Sequence, residues 1–305
     1  MKSAPWAMDV QHPRAQIMVS TSRRELGRSG VRVCAIGLGA MPLSIAGRPP
    51  AERAFEVIKA YVEAGGDFID TANAYCLDDS DIGHNECLID ESLRRLGARD
   101  RVLVATKGGL TRPQGRWEVD GRPQWIRKSC EESLRALNRD CIDLYQLHAI
   151  DPNVPLVETV GELARLQQER KIRLIGLSNV SEIQLRQAMR IVNVVSVQNR
   201  CNPFEQRDFR NELVKRCGEL GVSYIPHSPV GGHHGHMQMT RHPALTAIAA
   251  RYGVSPYCVA LAWFLAKGEH ILPIPGASKV SSILDSLRAL EVQLSAEDVA
   301  TIDTL

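Results

Sequence analysis

From residue 31 onward the chain alternates between two kinds of hydrophobic pattern. Short apolar runs rich in Val, Ile and Leu stand at residues 34–39, 68–72, 102–107, 143–148, 173–178, 194–198, 223–227 and 271–274. After each comes a longer stretch with apolar positions three and four apart, as in Phe55, Ile58, Tyr61 and Val62, or Leu156, Val160, Leu163 and Leu166. The first pattern fits strands, and the second fits helices with one apolar face. Runs such as Val102-Leu103-Val104-Ala105 are apolar at every position, as strands are when both faces are covered. Eight strand and helix units in uninterrupted succession predict an α/β fold, a (β/α)8 TIM barrel, as a single domain over residues 21–305. Residues 23–33 read as two short strands joined by a Gly and Ser turn, an N-terminal β-hairpin placed to close the barrel floor. A last helix is expected within 294–305, opened by Ser295 with Asp298 three positions on. Residues 1–20, with their charges and prolines, are expected to be a flexible extension.

Composition narrows the class. At 44% hydrophobic and 24% charged residues, the chain has the make-up of an ordinary globular protein rather than a disordered or collagen-like one. Its 37 Lys plus Arg against 35 Asp plus Glu leave a formal charge of +2 with no basic block, and aromatics are only 5%. Neither a phosphate-neutralising surface nor a base-stacking platform is legible, so no nucleic-acid partner is expected. No apolar run approaches the roughly 18 residues of a membrane span, and residues 1–20 lack a signal peptide's apolar core. No membrane contact and a cytoplasmic location are expected.

Eight cysteines, at 34, 76, 87, 130, 141, 201, 217 and 258, include no C-x-x-C pair, which favours reduced thiols over a disulfide framework or a zinc site. Cys76 reads as a small packing residue. The segment Gly232-His233-His234-Gly235-His236 has imidazoles but no carboxylate or thiol at ligand spacing. It is expected to be a mobile loop over a ligand, with no metal. Asn179-Val180-Ser181 fits a glycosylation sequon but follows no secretory signal. Gly37-x-Gly39 is not a dinucleotide fingerprint, because Pro42 stands where the third glycine belongs.

A TIM barrel carries its chemistry at the C-terminal ends of its strands. There the second run leads through Asp70 to Tyr75, the third ends at Lys107, and the fourth ends at His148. A buried Lys favours the phenolate of a neighbouring Tyr, and an Asp keeps that Lys charged and oriented. Such a Tyr is a usable proton donor, and His148 could bond the same oxygen. Taken singly, each has a plain structural reading: a turn cap, loop packing, a solvent-facing strand end, a satisfied core histidine. Three consecutive strands each delivering one is a stronger signal.

Residues 24–305 resemble the aldo-keto reductase family. The resemblance rests on Gly37-Leu38-Gly39-Ala40-Met41, Asp70-x-Ala72-x-x-Tyr75, Ala105-Thr106-Lys107, Leu147-His148, Gly176-Leu177-Ser178-Asn179, Val197-Gln198-Asn199 and Ile274-Pro275-Gly276-Ala277-Ser278, in the family's order. It implies a catalytic tetrad of Asp70, Tyr75, Lys107 and His148, with Tyr75 protonating the oxygen of a carbonyl that receives a hydride from NADPH. It further implies that Ser178, Asn179 and Gln198 hold the nicotinamide carboxamide, with Gly39, Met41, Asp70, His227, Ser228, Pro229, Val230 and Gly231 along the cofactor. The adenosine phosphate would lie against Ile274, Pro275, Gly276, Ala277, Ser278, Lys279, Ser282, Asp285 and Ser286.

Two departures stand out. Many members have Arg where Ser282 stands and a Glu-Asn pair at Asp285-Ser286. Lys279 with the Ser278 and Ser282 hydroxyls could still hold a 2′-phosphate, so NADPH is favoured over NADH. His227 replaces the usual aromatic ring, and a neutral imidazole can stack where a charged one would repel the oxidised ring. For the substrate pocket the expected residues are Met41, Tyr75, Trp117, Trp125 and His148, from loops 41–48, 76–85, 110–125 and 230–242. The two tryptophans read either as an aromatic wall or as loop anchors.

Only 29 residues follow Gly276, and this implies an open site closer to members acting on small aldehydes, pyridoxal or natural-product ketones than to steroid reductases. The expected partner is a small carbonyl compound; no pattern specifies an oligomeric state. Alternatives are a pathway-specific oxidoreductase on a sugar or natural-product intermediate, and a cofactor-sensing regulatory subunit like the potassium-channel β subunits.

Overall fold

The computed structural model describes residues 22–305, so the expected extension over residues 1–20 lies outside the described residues. The chain opens with β1 (Arg23–Glu25) and β2 (Arg32–Cys34), an antiparallel pair with Arg24 opposite Val33. Then come β3 (Leu38–Gly39), β4 (Phe68–Asp70) and β5 (Leu103–Gly108). A small antiparallel pair follows, β6 (Leu110–Thr111) with β7 (Glu118–Val119). The remaining strands are β8 (Ile142–Leu147), β9 (Ile172–Ser178), β10 (Val194–Arg200) and β11 (Ser223–His227). Seven of them form one parallel sheet in the order β11-β10-β9-β8-β5-β4-β3.

The eighth predicted run completes the ring without becoming a regular strand. Parallel bridges tie Tyr224 to Ile271 and His227 to Ile274 on one side, and Gly39 to Gly276 on the other. Leu272 N–H donates to Tyr224 O at 2.8 Å, while the carbonyls of Pro273 and Pro275 accept from Gly37 and Gly39 N–H at 2.9 and 3.0 Å. Proline at alternate positions removes the donors that would face β3, so pairing on that side runs one way. The barrel is closed and its seam is proline-built.

Between strands and helices lies the larger apolar core. The helix Ala51–Glu63 buries Phe55, Ile58, Tyr61 and Val62, and Leu156–Gln168 buries Val160, Leu163 and Leu166, the faces their spacing predicts. Inside the barrel a second cluster joins Phe68, Ala105, Leu144, Val195, Ile225 and Leu272 to Leu26 and Val33 of the hairpin. The hairpin therefore plugs the floor, and each large apolar side chain buried there contributes roughly 1.5–3 kcal/mol. Ser295 caps the closing helix Ala296–Asp303 by accepting from Asp298 N–H. No single helix among the described residues is long and apolar enough to cross a membrane; the pair Pro243–Tyr252 and Pro256–Ala266, bent by 86°, meets the length and composition only together.

The histidine-rich segment departs from expectation in form, though Gly232 and His236 do line the large cavity over which it was expected to lie. It is not a loop but the start of a helix, Gly232–Arg241. Gly231 and Gly232 turn the chain with φ of 91° and 65°, and Met239 is buried as the helix's apolar anchor. One buried residue late in the segment gave too little periodicity to be read as a helix. All eight cysteines are free, and burial pushes the Cys76 thiol up to about 11, in keeping with a packing role.

Candidate active site

Alternation along the strands decides which side chains enter the barrel. On β4, Phe68 fills the floor and Asp70, two residues on, stands at the mouth; on β5 the same step leads from Ala105 to Lys107. On β8 it leads from Leu144 to Gln146, with His148 just beyond. β10 breaks the rule: Val195 lies in the floor cluster, yet Gln198, three residues on, reaches Asp70. The register shift between Val194 and Ser196 absorbs the odd step.

Lys107 is fully buried. Its Nζ donates to Asp70 Oδ1 at 2.5 Å, to Thr71 O at 2.8 Å and to Tyr75 Oη at 3.0 Å, using all three ammonium donors. The second Asp70 oxygen accepts from Gln198 Nε2 at 2.8 Å and Gln146 Nε2 at 3.1 Å. A buried carboxylate is thus fully bonded, as its burial requires. Gly176 makes room for this network. A Cβ there would meet Ser196 Oγ at 2.3 Å and Gln146 Cγ at 2.9 Å.

Above the lysine, the Tyr75 and His148 rings meet edge to face at 5.6 Å, and Tyr75 meets Trp117 at 6.3 Å. Trp117 belongs to the segment before β7 and is covered by Arg112, whose guanidinium carbon lies 3.7 Å from its ring centre. Arg112 Nη2 is anchored on Leu77 O at 2.8 Å. Asn179 Nδ2 donates to His148 O at 2.9 Å and to Ser178 Oγ at 3.0 Å.

Electrostatics correct one expectation. Burial raises the Tyr75 phenol above its ordinary value, and the neighbouring Lys107 charge only partly offsets this. The lysine therefore limits the rise rather than bringing the phenol below its usual range. For Lys107 burial favours the neutral form, yet the Asp70 and Tyr75 charges outweigh it and hold the ammonium above its usual range. His148 is driven well below the imidazole range by burial, then by Lys107 and His227. Its Nδ1 is buried and has no protein partner.

These groups sit at one end of a cavity of about 790 Å³, within the roughly 300–1,000 Å³ range of small-molecule sites. Gly39, Met41, Asp70, Tyr75, Trp117 and His148 line that end. Along the trough follow Ser178, Asn179, Gln198, His227, Ser228 and Val230, then Ile274, Gly276, Ala277, Ser278, Lys279 and Ser282, with Asp285 and Ser286. Five predicted residues are not in its lining. Lys107 lies behind Tyr75; Pro229, Gly231 and Pro275 are part of the backbone path between lining residues. Trp125 stands on the first turn of the helix Pro123–Ala136, outside the lining, with the Lys128 ammonium 4.9 Å from its ring centre. Loop 76–85 also contributes no lining residue.

At the far end the trough meets the start of the helix Val280–Leu287, which no side chain caps. Its first N–H groups are open to an anion, with Lys279 beside them. A family description, "Aldo/keto reductase family", matches residues 35–305. The chain belongs to that family. Its members are oxidoreductases of carbonyl compounds that use nicotinamide cofactors.

A Glycine max protein named "Probable aldo-keto reductase 1" is 33% identical over 91% of this chain and 87% of its own length. Among solved structures, a thermostable aldo-keto reductase in complex with the inhibitor epalrestat is 28% identical, with a TM-score of 0.79 over 92% of this chain and 98% of the other. The holo form of an aldo-keto reductase from Bacillus halodurans is 27% identical, with a TM-score of 0.77 over 92% and 95%.

In this aldo-keto reductase, Pro42, Ile45 and Leu110 line the cavity from within the expected loops 41–48 and 110–125, while Arg200 and Tyr257 line it from outside any expected loop and Gln146 supports Asp70 from behind. Gln146 was findable, since it lies two residues before His148 in an apolar strand and so shares its face. Arg200 was findable in the same way, since it lies two residues past Gln198 and shares its face.

Proposed function

We propose that this protein reduces an aldehyde or ketone to an alcohol with NADPH, and that Tyr75 delivers the proton. The observation that carries the reading is the buried hydrogen-bond chain from Asp70 through Lys107 to Tyr75 Oη, ending beside His148 at the cavity. The trough, its uncapped helix start and the polar ends of β9 and β10 fit an extended dinucleotide. Ser178, Asn179 and Gln198 hold its carboxamide, and Lys279 with Ser278 and Ser282 holds its 2′-phosphate. Bound there, the cofactor supplies a hydride to the carbonyl carbon. Tyr75 gives its phenolic proton to the carbonyl oxygen, and Lys107 Nζ, 3.0 Å away, stabilises the phenolate left behind. His148, kept neutral by its burial, offers an N–H to the same oxygen without competing for that proton. Trp117 forms the apolar wall opposite.

The reading takes residues 21–305 as one catalytic domain acting in the cytoplasm, where free thiols persist, on a small carbonyl compound. NADPH is favoured over NADH because the Lys279 side chain and the Ser278 and Ser282 hydroxyls gather in the lining at the helix start, where a 2′-phosphate would lie. Fluorescence titration with both cofactors, then oxidation of NADPH against aldehydes, pyridoxal and ketones, tests the reading. NADPH should bind about tenfold more tightly than NADH, and Lys279→Ala should erase the difference, as loss of one charge-assisted contact does. Equal affinities in the parent protein would defeat the NADPH assignment. Tight binding without turnover on any carbonyl would instead favour the regulatory subunit.

Position 227 gives a pH prediction. Burial, reinforced by Lys107 and Arg200, pushes the His227 imidazole down to about 3. It is therefore neutral from pH 5.5 to 8, and affinity for the oxidised cofactor should be flat across that range. A tenfold loss at the acid end, absent in His227→Phe, would show that the ring does charge.

A further inference from the structure

At the N-terminal ends of the strands, beneath the hairpin, lies a second cavity of about 350 Å³. Six arginines line it: Arg23, Arg32, Arg99, Arg101, Arg139 and Arg173. Among the described residues, Asp67, Asp100 and Asp143 are its only carboxylates, over a base of Val31, Val33, Val102 and Leu103.

Three of the arginines are committed to the fold. Arg23 pairs with Asp67 at 2.5 Å, Arg139 with Asp143 at 2.6 Å, and Arg99 with Asp90, behind the wall, at 2.9 Å. Arg32 donates only to the backbone carbonyl of Arg23, at 2.5 Å. Among the described residues, the guanidiniums of Arg101 and Arg173 make neither a hydrogen bond nor an ion pair, and only the backbone of each residue is bonded. Three guanidiniums without a carboxylate partner, set against Asp100, leave two uncompensated charges in one concavity, as much as the formal charge of the whole chain. Like charges gathered this closely repel one another, and a concave wall focuses their field on the space between them.

We propose that this floor cavity binds a phosphate chain carrying several negative charges, an oligophosphate or the phosphate tail of a nucleotide. Guanidinium forks match phosphate oxygens two at a time, and the paired Arg23, Arg99 and Arg139 are already held in place around the opening. The cavity lies on the opposite face of the barrel from the trough and shares no residue with it. Occupancy would tie the hairpin plug to the starts of β5 and β9 through Arg32, Arg101 and Arg173.

Isothermal titration calorimetry of the full chain with sodium tripolyphosphate at low salt tests this. With the trough filled by saturating NADPH, one saturable site per chain is expected, weakened at least tenfold in Arg101→Ser/Arg173→Ser and unchanged in Lys279→Ala, which alters only the trough. If that double variant does not fold, Arg32→Gln carries the same expectation. ATP titrated alongside identifies the source of the phosphate chain: equal affinity assigns recognition to the tail alone, and tighter ATP binding adds the nucleoside, either outcome supporting the site. No saturable heat, or binding lost in Lys279→Ala and retained in the floor variants, would overturn it.

Discussion

Phenylalanine at position 75 is expected to lower carbonyl turnover by about 10²–10⁴-fold, the usual share of a general acid, while cofactor affinity stays nearly unchanged. The substitution removes one oxygen. The Phe ring still packs between Trp117 and His148, and Lys107 keeps its bonds to Asp70 Oδ1 and Thr71 O. What is lost is the group 3.0 Å from the ammonium that can hand over a proton. Because burial holds the Tyr75 phenol above its ordinary range, it stays protonated throughout the neutral range. Reduction by the parent protein should therefore be flat in pH through the neutral range and fall only as the phenol ionises, above the ordinary tyrosine range. His148 adds no acid limb, since it is neutral well below the ordinary imidazole range. Steady-state reduction of an accepted carbonyl by parent and variant, with NADPH affinity measured beside it, checks both parts. A loss under tenfold would mean that water or His148 supplies the proton.

How legible this was in the sequence varied by element. The strand runs, the hairpin and the closing Ser295 cap could be read because each has a local signature of alternation, a turn or a side-chain cap. Asp70, Lys107 and His148 could be found because a polar residue ending an apolar run is conspicuous, and barrel geometry says where strand ends meet. Three features escaped. The eighth strand reads as a strand, yet Pro273 and Pro275 deny it a full ladder, a point visible only once its neighbours are known. The direction of the Tyr75 shift depends on how much water is excluded, and no pattern of residue types reports that quantity. The register shift between Val194 and Ser196 resets inside and outside along β10, so that Val195 fills the floor while Gln198 reaches Asp70, and no residue type marks it. Long-range consequences of local steps are what sequence spacing leaves out.

Arg24 is one such consequence, and Arg24→Met should destabilise the protein by about 3 kcal/mol or more without touching the chemistry. The residue stands in β1 with its side chain buried inside the protein, 4% exposed. Its Nη1 donates to Gly268 O at 2.8 Å and Ile271 O at 2.5 Å, and its Nη2 to Leu265 O at 2.7 Å. Leu265 belongs to the last turn of the helix Pro256–Ala266, where carbonyls have no partner within the helix. Gly268 and Ile271 lie on the way into the seam that closes the barrel. One guanidinium thus binds the floor plug, a helix end and the eighth barrel position together. Methionine fills similar space but donates nothing, so Leu265 O and Ile271 O lose their donor at once and Gly268 O keeps only the Ile271 N–H, at 3.2 Å. The exposed Glu269 carboxylate, 3.7 Å from Arg24 Nε, contributes little through solvent, and Glu269→Gln should be close to neutral. Urea unfolding of the two variants separates the contributions. A large loss for Arg24→Met alone assigns the stability to the carbonyl clamp, equal losses would assign it to the ion pair, and no loss in either would mean that water replaces the guanidinium at no cost.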